Sequence, residues 1–230
     1  MLLNFLNVSL AVSGLLHAAG GTPSSKTSTS SLCPGSQESL DSVKLVFNDA
    51  RIPDDVKIEF QPQALLNIAW PSPDYETGPT YTYPGRHLRD NLTYTTPMFS
   101  ATSLPNDKHG PFIILMFTPD VPATEKPSIR DFIGSDFYVT HGTGGALVNQ
   151  TTPVANWRRP LPPRISQGQR YIFLMYDQPP TFDGPTSLGN TTFRNFDIVD
   201  YAVRNGLGDP VAGTFVYIES NASCWRDGCT

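Results

Sequence analysis

Residues 112–122 read FIILMFTPDVP, an apolar run that breaks into a proline-flanked polar turn. An uninterrupted run of this kind fits a strand buried on both faces or a piece of core helix. Its β-branched and aromatic content and the neighbouring prolines decide for the strand. A second block, residues 167–178, QGQRYIFLMYDQ, has the same build with polar ends. Buried strands deliver side chains to one edge of a sheet, so a site is expected where these runs meet their polar ends.

On the N-terminal side, Leu40, Val43, Val46, Phe47 and Ala50 fall at helical spacing after Ser39, and Ile52-Pro53 ends the pattern. Ile58 and Phe60, then residues 65–70, read as strands with hairpin-like pairing. Residues 71–94 are rich in Pro, Gly, Thr and Tyr and read as loops with short edge strands, in which Tyr81, Tyr83 and Tyr94 are packing aromatics. On the C-terminal side, residues 122–130 read as a loop and 136–140 as a strand. The glycines from Gly142 to Gly145 are a turn rather than a nucleotide loop, because Leu147 stands where the dinucleotide fingerprint needs its third glycine. Residues 157–164, WRRPLPPR, form a loop stiffened by its prolines. Phe196, Val199 and Val203 mark a second helix with Asn195 as N-cap and Gly206 as its stop, and residues 214–219 close the chain as a strand. Many short strands with two peripheral helices describe a mainly β protein, an antiparallel β-sandwich.

Composition narrows the class. The 230 residues, 39% of them hydrophobic, suffice for one domain, and 22 prolines with only 16% charged residues favour strands and loops over helices. A net charge of -5 leaves no basic footprint for nucleic acid. Residues 1–19 hold an apolar stretch ending in small residues and read as a secretory signal peptide, too short and too polar to span a bilayer. No later segment of the sequence is long enough to cross a membrane, so stable insertion is not expected. Residues 20–35 form a Ser/Thr-rich leader, 36–220 the domain, and 221–230 a tail. An extracellular chain agrees with the sequons at Asn91, Asn149, Asn190 and Asn221. Of the 3 cysteines, Cys224 and Cys229 can close a local loop, or Cys33 can clamp the mature N-terminus to the tail. No Cys and His spacing suggests zinc, and no cofactor is expected.

The TPDVP turn at residues 118–122, the GQRY segment at 168–171 and the LGDPVAGTF block at 207–215 together resemble the phosphatidylethanolamine-binding protein family. That family carries a D-P-D-x-P turn, a G-x-H-R segment leading into a strand and a G-D-P-V-A-G-like block, and the likeness runs from about Ser39 to Ile218. It implies a large antiparallel sheet packed on a smaller one, with helices at the edges. It also implies a small anion pocket for a phosphate-bearing head group, lined by the turn, a histidine on the next strand, a proline loop and the start of the G-x-H-R strand.

Carried onto this chain, the pocket comprises Thr118, Asp120, Asp136, Trp157, Pro162, Gln169 and Tyr171. Tyr171 and the prolines at 162 and 163 keep the frame. Thr118 stands where the turn's first Asp belongs, Gln169 where the second histidine belongs, and Asp136 aligns with the first histidine. A carboxylate there opposes phosphate. Asp120 is expected to bond its own turn, and His141, five residues beyond Asp136, faces the other side of the sheet. Arg158, Arg159, Arg164 and Arg170 bring positive charge to the rim, which either binds anions or is a solvated loop.

Catalysis has little footing. The histidines are His17, His87, His109 and His141, and no G-x-S-x-G, H-E-x-x-H or Cys-His arrangement accompanies them. The expected protein is a secreted, non-enzymatic binding protein, acting on a protease or another protein through the pocket rim, as in the branch of the family that blocks a serine carboxypeptidase. The alternative is a carrier of a lipid or small anionic ligand in a modified pocket.

Overall fold

The computed structural model describes residues 38–72, 77–120, 129–140, 144–164, 168–184, 186–189, 194 and 196–221. The expected signal peptide and leader, the three cysteines, Asn190, Asn195 and His141 lie outside them. Nine strands form one sheet: β1 Leu65–Trp70, β2 Thr80–Tyr81, β3 Arg86–Arg89, β4 Met98–Thr102, β5 Phe112–Thr118, β6 Ile129–Val139, β7 Ala146–Asn149, β8 Gln169–Asp177 and β9 Ala212–Glu219. Their order is β2-β1-β4-β7-β6-β5-β8-β9-β3. All pairings are antiparallel except β3 with β9.

The central strand is β5, the run on which the fold was read, and every one of its residues is buried. Its side chains divide with period two. Phe112, Ile114 and Met116 join Trp70, Phe99, Phe132, Tyr171 and Phe173 on one face, while Ile113, Leu115 and Phe117 join a cluster on the other face that the helices cover. Burial on both faces explains why the run is apolar throughout instead of alternating.

The strands β2 and β3 lie at opposite edges of the sheet, yet residues 82–85 join them directly. Thr82 N–H donates to Ile68 O of β1 at 3.1 Å and Gly85 N–H to Phe215 O of β9 at 2.8 Å, so the two edges are drawn together. The mainly β class stands, with the sheet a curled half-barrel rather than strictly a sandwich.

Three helices lie on the second face: α1 Leu40–Asp49, α2 Ile52–Val56 and α3 Ile198–Arg204. Ser39 and Ser42 form a capping box at the start of α1. The ring of Phe47 stacks on Phe60 with centroids 4.0 Å apart and meets Phe215 edge-on at 5.3 Å. Truncating such a buried ring costs about 3 to 5 kcal/mol.

Several local expectations are corrected. Pro53 does not end helical structure; it sits in the first turn of α2, which a left-handed Arg51 at φ 55° separates from α1. Ile58 and Phe60 form no strand, and β1 pairs instead with β2 and β4. The strand expected over 136–140 runs from Ile129. In α3 the cap is Asp197, accepting from Val199 N at 2.9 Å and Asp200 N at 3.0 Å. That start buries Ile198 and Tyr201 and leaves Val199 and Val203 exposed, so the apolar spacing counted from Phe196 had the wrong phase.

Candidate functional site

Strand register brings the C-terminal end of β5, the start of β6 and the start of β8 to one end of the sheet. Thr118 faces Ile129, Phe117 faces Ile172, and Gln169 faces Ile218 of β9. Thr118, Asp120, Gln169 and Tyr171 therefore meet there, as the sequence suggested.

Their polar groups hydrogen-bond one another. The Thr118 hydroxyl accepts from Asp120 N at 3.2 Å. Gln169 donates through Nε2 to Asp120 O, and its Oε1 accepts from the Tyr171 hydroxyl at 3.5 Å. The Leu161 backbone in turn hydrogen-bonds the Tyr171 hydroxyl, whose pKa burial and the nearby Asp131 carboxyl push up. A neutral, hydrogen-bonded chain thus includes Gln169, the position at which the resemblance implied a histidine.

Arg170 belongs to the other face, because successive strand residues alternate and both Tyr171 and Phe173 point to the helix-free side. Asp120 accepts from its backbone N at 2.7 Å, from Nε at 3.0 Å and from Nη2 at 2.6 Å, while Nη1 reaches Asp55 at 2.8 Å and Ala50 O at 2.6 Å. The hydrogen bond with Asp120 is the main reason the guanidinium's pKa is raised. The Asp120 carboxylate thus holds Arg170 of β8 rather than its own turn, and Arg170 in turn reaches Asp55 of α2. Arg170 is withdrawn from the set of rim cations.

The strand β6 carries two bulges. Met116 faces Phe132 while Phe117 faces Arg130, leaving Asp131 as an extra residue; a second shift between Phe112 and Ile114 falls opposite Ser135 and Asp136. Asp136 sits at φ 55°, and its carboxylate accepts from Thr151 Oγ1 at 2.7 Å and Gln178 Nε2 at 2.7 Å. Its neighbour Phe137 pairs with Phe112, at the far end of β5 from Thr118. The expectation that Asp136 lines the pocket is therefore corrected: the bulges change the count along the strand and carry it to the opposite end.

Asp131 was missed. It is 6% exposed, and Arg158 Nε stands 3.8 Å from its carboxylate. Burial pushes its pKa up to about 7, and Arg158 and Arg130 offset this only in part. The signal was available in the sequence as an acid inside the apolar stretch IRDFIG, next to the site end of a strand.

The proline loop closes this end. Trp157 packs against Trp70, Phe132 and Phe173, with its indole Nε1 buried and lacking an acceptor. Pro160 and Pro162 are buried, while Leu161 between them is 63% exposed. Arg158 N donates to Asp131 O at 2.8 Å, and the guanidinium of Arg159 lies 4.4 Å from the centre of the Tyr94 ring. Tyr81, Tyr83 and Tyr94 are all exposed, against the expectation of packing aromatics.

Among the sequons, Asn91 and Asn221 are exposed and lie near one another, Asn221 N donating to Asp90 Oδ1 at 3.0 Å. Asn149 ends β7 and donates to Thr151 O at 2.6 Å. Among the described residues no group of His, Cys, Asp and Glu could hold a metal ion, and no helix is long and apolar enough to cross a membrane.

No protein-family model matches the chain. It is 26% identical over 183 residues to a Drosophila melanogaster protein named odorant-binding protein A5, covering 77% of this chain and 80% of that one. Against CEN-like protein 1 of Nicotiana tabacum the identity is 24%, over 77% of this chain and 93% of the relative. Among solved structures, a carboxypeptidase Y inhibitor complexed with its cognate proteinase matches with a TM-score of 0.63 at 21% identity, over 79% of this chain and 97% of the inhibitor. A phosphatidylethanolamine-binding protein from Plasmodium vivax matches with a TM-score of 0.51 at 13% identity, over 77% and 97% of the two chains.

Proposed function

From a chain that is phosphatidylethanolamine-binding-protein-like in fold and in its motifs, we propose a secreted, non-catalytic binding protein that engages a protein partner, a protease in the first instance, through the loop at residues 157–164. The observation that carries this reading is the closed chain of hydrogen bonds from Thr118 through Asp120, Gln169 and Tyr171 to Leu161. In that chain the Gln169 amide and the Tyr171 hydroxyl each donate to a protein acceptor, and a buried ionisable neighbour, Asp131, is an acid. The same chain tethers the backbone of Leu161 while its side chain stands in solvent between two buried prolines. A rigid, exposed apolar tip is the kind of anchor that protein interfaces use, because little ordering entropy opposes its docking. The solved carboxypeptidase Y inhibitor, complexed with its cognate proteinase, supports the choice of partner class.

The test is inhibition of serine carboxypeptidases by the purified chain, with Leu161→Asp as the variant. The reading expects inhibition that this substitution weakens by about tenfold or more, as for a truncated interface anchor. Failure of the chain to bind any of the panel would remove the protease proposal.

A second reading, a small-ligand carrier, is favoured by the buried Trp157 Nε1 without an acceptor and by the relative named for odorant binding. Native mass spectrometry separates the two, since a carrier retains a small molecule.

A further inference from the structure

We propose that the stripe of exposed tyrosines and stacked arginines around Trp70 extends the binding surface beyond the proline loop and fits a protein partner presenting carboxylates. The proposal rests on the reading that the loop at residues 157–164 meets a protein.

Three segments converge over Trp70, which is itself fully buried. Trp70 pairs with Thr80 in β2, its indole Nε1 donates to Thr95 O at 3.1 Å, and its ring lies 6.5 Å from that of Trp157. The convergence sets Tyr94, which is 57% exposed, beside the proline loop, while Tyr81, 69% exposed, follows Thr80 in β2. Arg159 stacks on Tyr94, and Arg86 lies 5.9 Å from the centre of the exposed Tyr83 ring while donating through Nη1 to Tyr81 O.

Several other arginines are matched with acids: Arg170 with Asp120 and Asp55, Arg204 with Asp200, Arg89 with Glu219 and Arg158 with Asp131. Among the described residues, Arg86 and Arg159 have no carboxylate partner; their planes are held by tyrosines. Stacking orders a guanidinium without using up its fork of donors, which leaves it set to receive a carboxylate from outside. In a chain of net charge -5, two uncompensated cations on one stripe mark a local reversal of sign.

The chemistry of the stripe distinguishes its occupant. Tyrosine and arginine are the side chains most enriched at protein hot spots, and Leu161 adds an apolar anchor at one end. A polyanion such as heparin or nucleic acid instead calls for a dense basic field, which a sequence pI of about 5.3 does not supply.

The experiment is chemical-shift mapping on the full secreted chain, titrated separately with a synthetic peptide alternating Glu and Leu, one alternating Lys and Leu, and a heparin fragment. The acidic peptide is expected to shift signals from residues 80–86, 94–95 and 159–161, with affinity falling about tenfold in the Arg86→Ala, Arg159→Ala double variant. Absence of localised shifts, equal shifts with the basic peptide, or tighter binding of heparin would each overturn the proposal. If carboxypeptidase inhibition is lost in Leu161→Asp and unchanged in the arginine pair, the loop reading stands and the stripe does not.

Discussion

Asp131 and Asp136 are the same residue type on the same strand, each at a bulge, and they have opposite surroundings. Asp136 is met by Thr151 and Gln178 with short hydrogen bonds and stands at one end of β6. Asp131, at the other end, is buried with a 3.8 Å ion pair to Arg158 and a pKa pushed up to about 7. A bulge re-aims a side chain by adding one residue to the count, so position along the strand, and not residue type, decided which acid faces the site. The acid at the Thr118 end of the sheet is therefore Asp131 and not Asp136.

The largest effect expected from this contrast lies in pH. In the unfolded chain Asp131 loses its proton near the ordinary carboxylate value of 3.8, and in the folded chain at about 7. Between those values the native state holds more protons, so the contribution of Asp131 to stability is greatest below the lower value and is lost as pH rises through the upper one. Asp131→Asn should remove this loss, making the variant more stable than the parent by about 3 to 4 kcal/mol at pH 8 and nearly equal to it at pH 4, as read from urea midpoints. Parallel stability curves for the two proteins would break the contrast.

Next in size is Asp136→Ala, which strands the donors on Thr151, Gln178 and Ser135 and keeps an unfavourable φ of 55°. A loss of about 3 kcal/mol is expected in urea unfolding, with Asp136→Gly recovering up to about 1 kcal/mol because glycine accepts that backbone conformation. Equal losses for the two variants would show that the backbone at this bulge is unstrained.

Gln169→Ala should cost about 1 to 2 kcal/mol by freeing Asp120 O and the Tyr171 hydroxyl. It sharpens the comparison at the site end, where a null effect on thermal unfolding would mean that the hydrogen-bond chain does not hold the proline loop. The smallest effect, about 1 kcal/mol, is expected for Tyr171→Phe, which keeps the buried ring and removes only its polar tip. A loss above about 3 kcal/mol would place the hydroxyl in a larger network than the one described.

Much of the fold was legible because its central strands are buried on both faces. The β-branched and aromatic content of FIILMF and its neighbouring prolines chose the strand over a core helix, and β5 and β8 lie where their composition put them. The first helix was legible from its spacing and its Ser39 cap. Other features depend on contacts that no local pattern encodes. The curl arises because residues 82–85 link opposite sheet edges, and the phase of α3 is fixed by Asp197 rather than by the apolar positions around it. At the site, Thr118, Asp120, Gln169 and Tyr171 were legible from the motifs, whereas Asp136 was misplaced because bulges do not show in residue counting. The tyrosines at 81, 83 and 94 were read as packing residues because aromatic side chains are usually buried; here arginines stack on Tyr83 and Tyr94 at the surface.

The proposed function requires that phosphate not bind at this end of the sheet and that binding belong to its rim. Calorimetric titration of O-phosphorylethanolamine into the unaltered chain at pH 8, where Asp131 is ionised, tests it most directly. The prediction is no saturable heat up to about 1 mM ligand. Saturable binding with a Kd of about 1 μM or tighter would contradict it and put the carrier first.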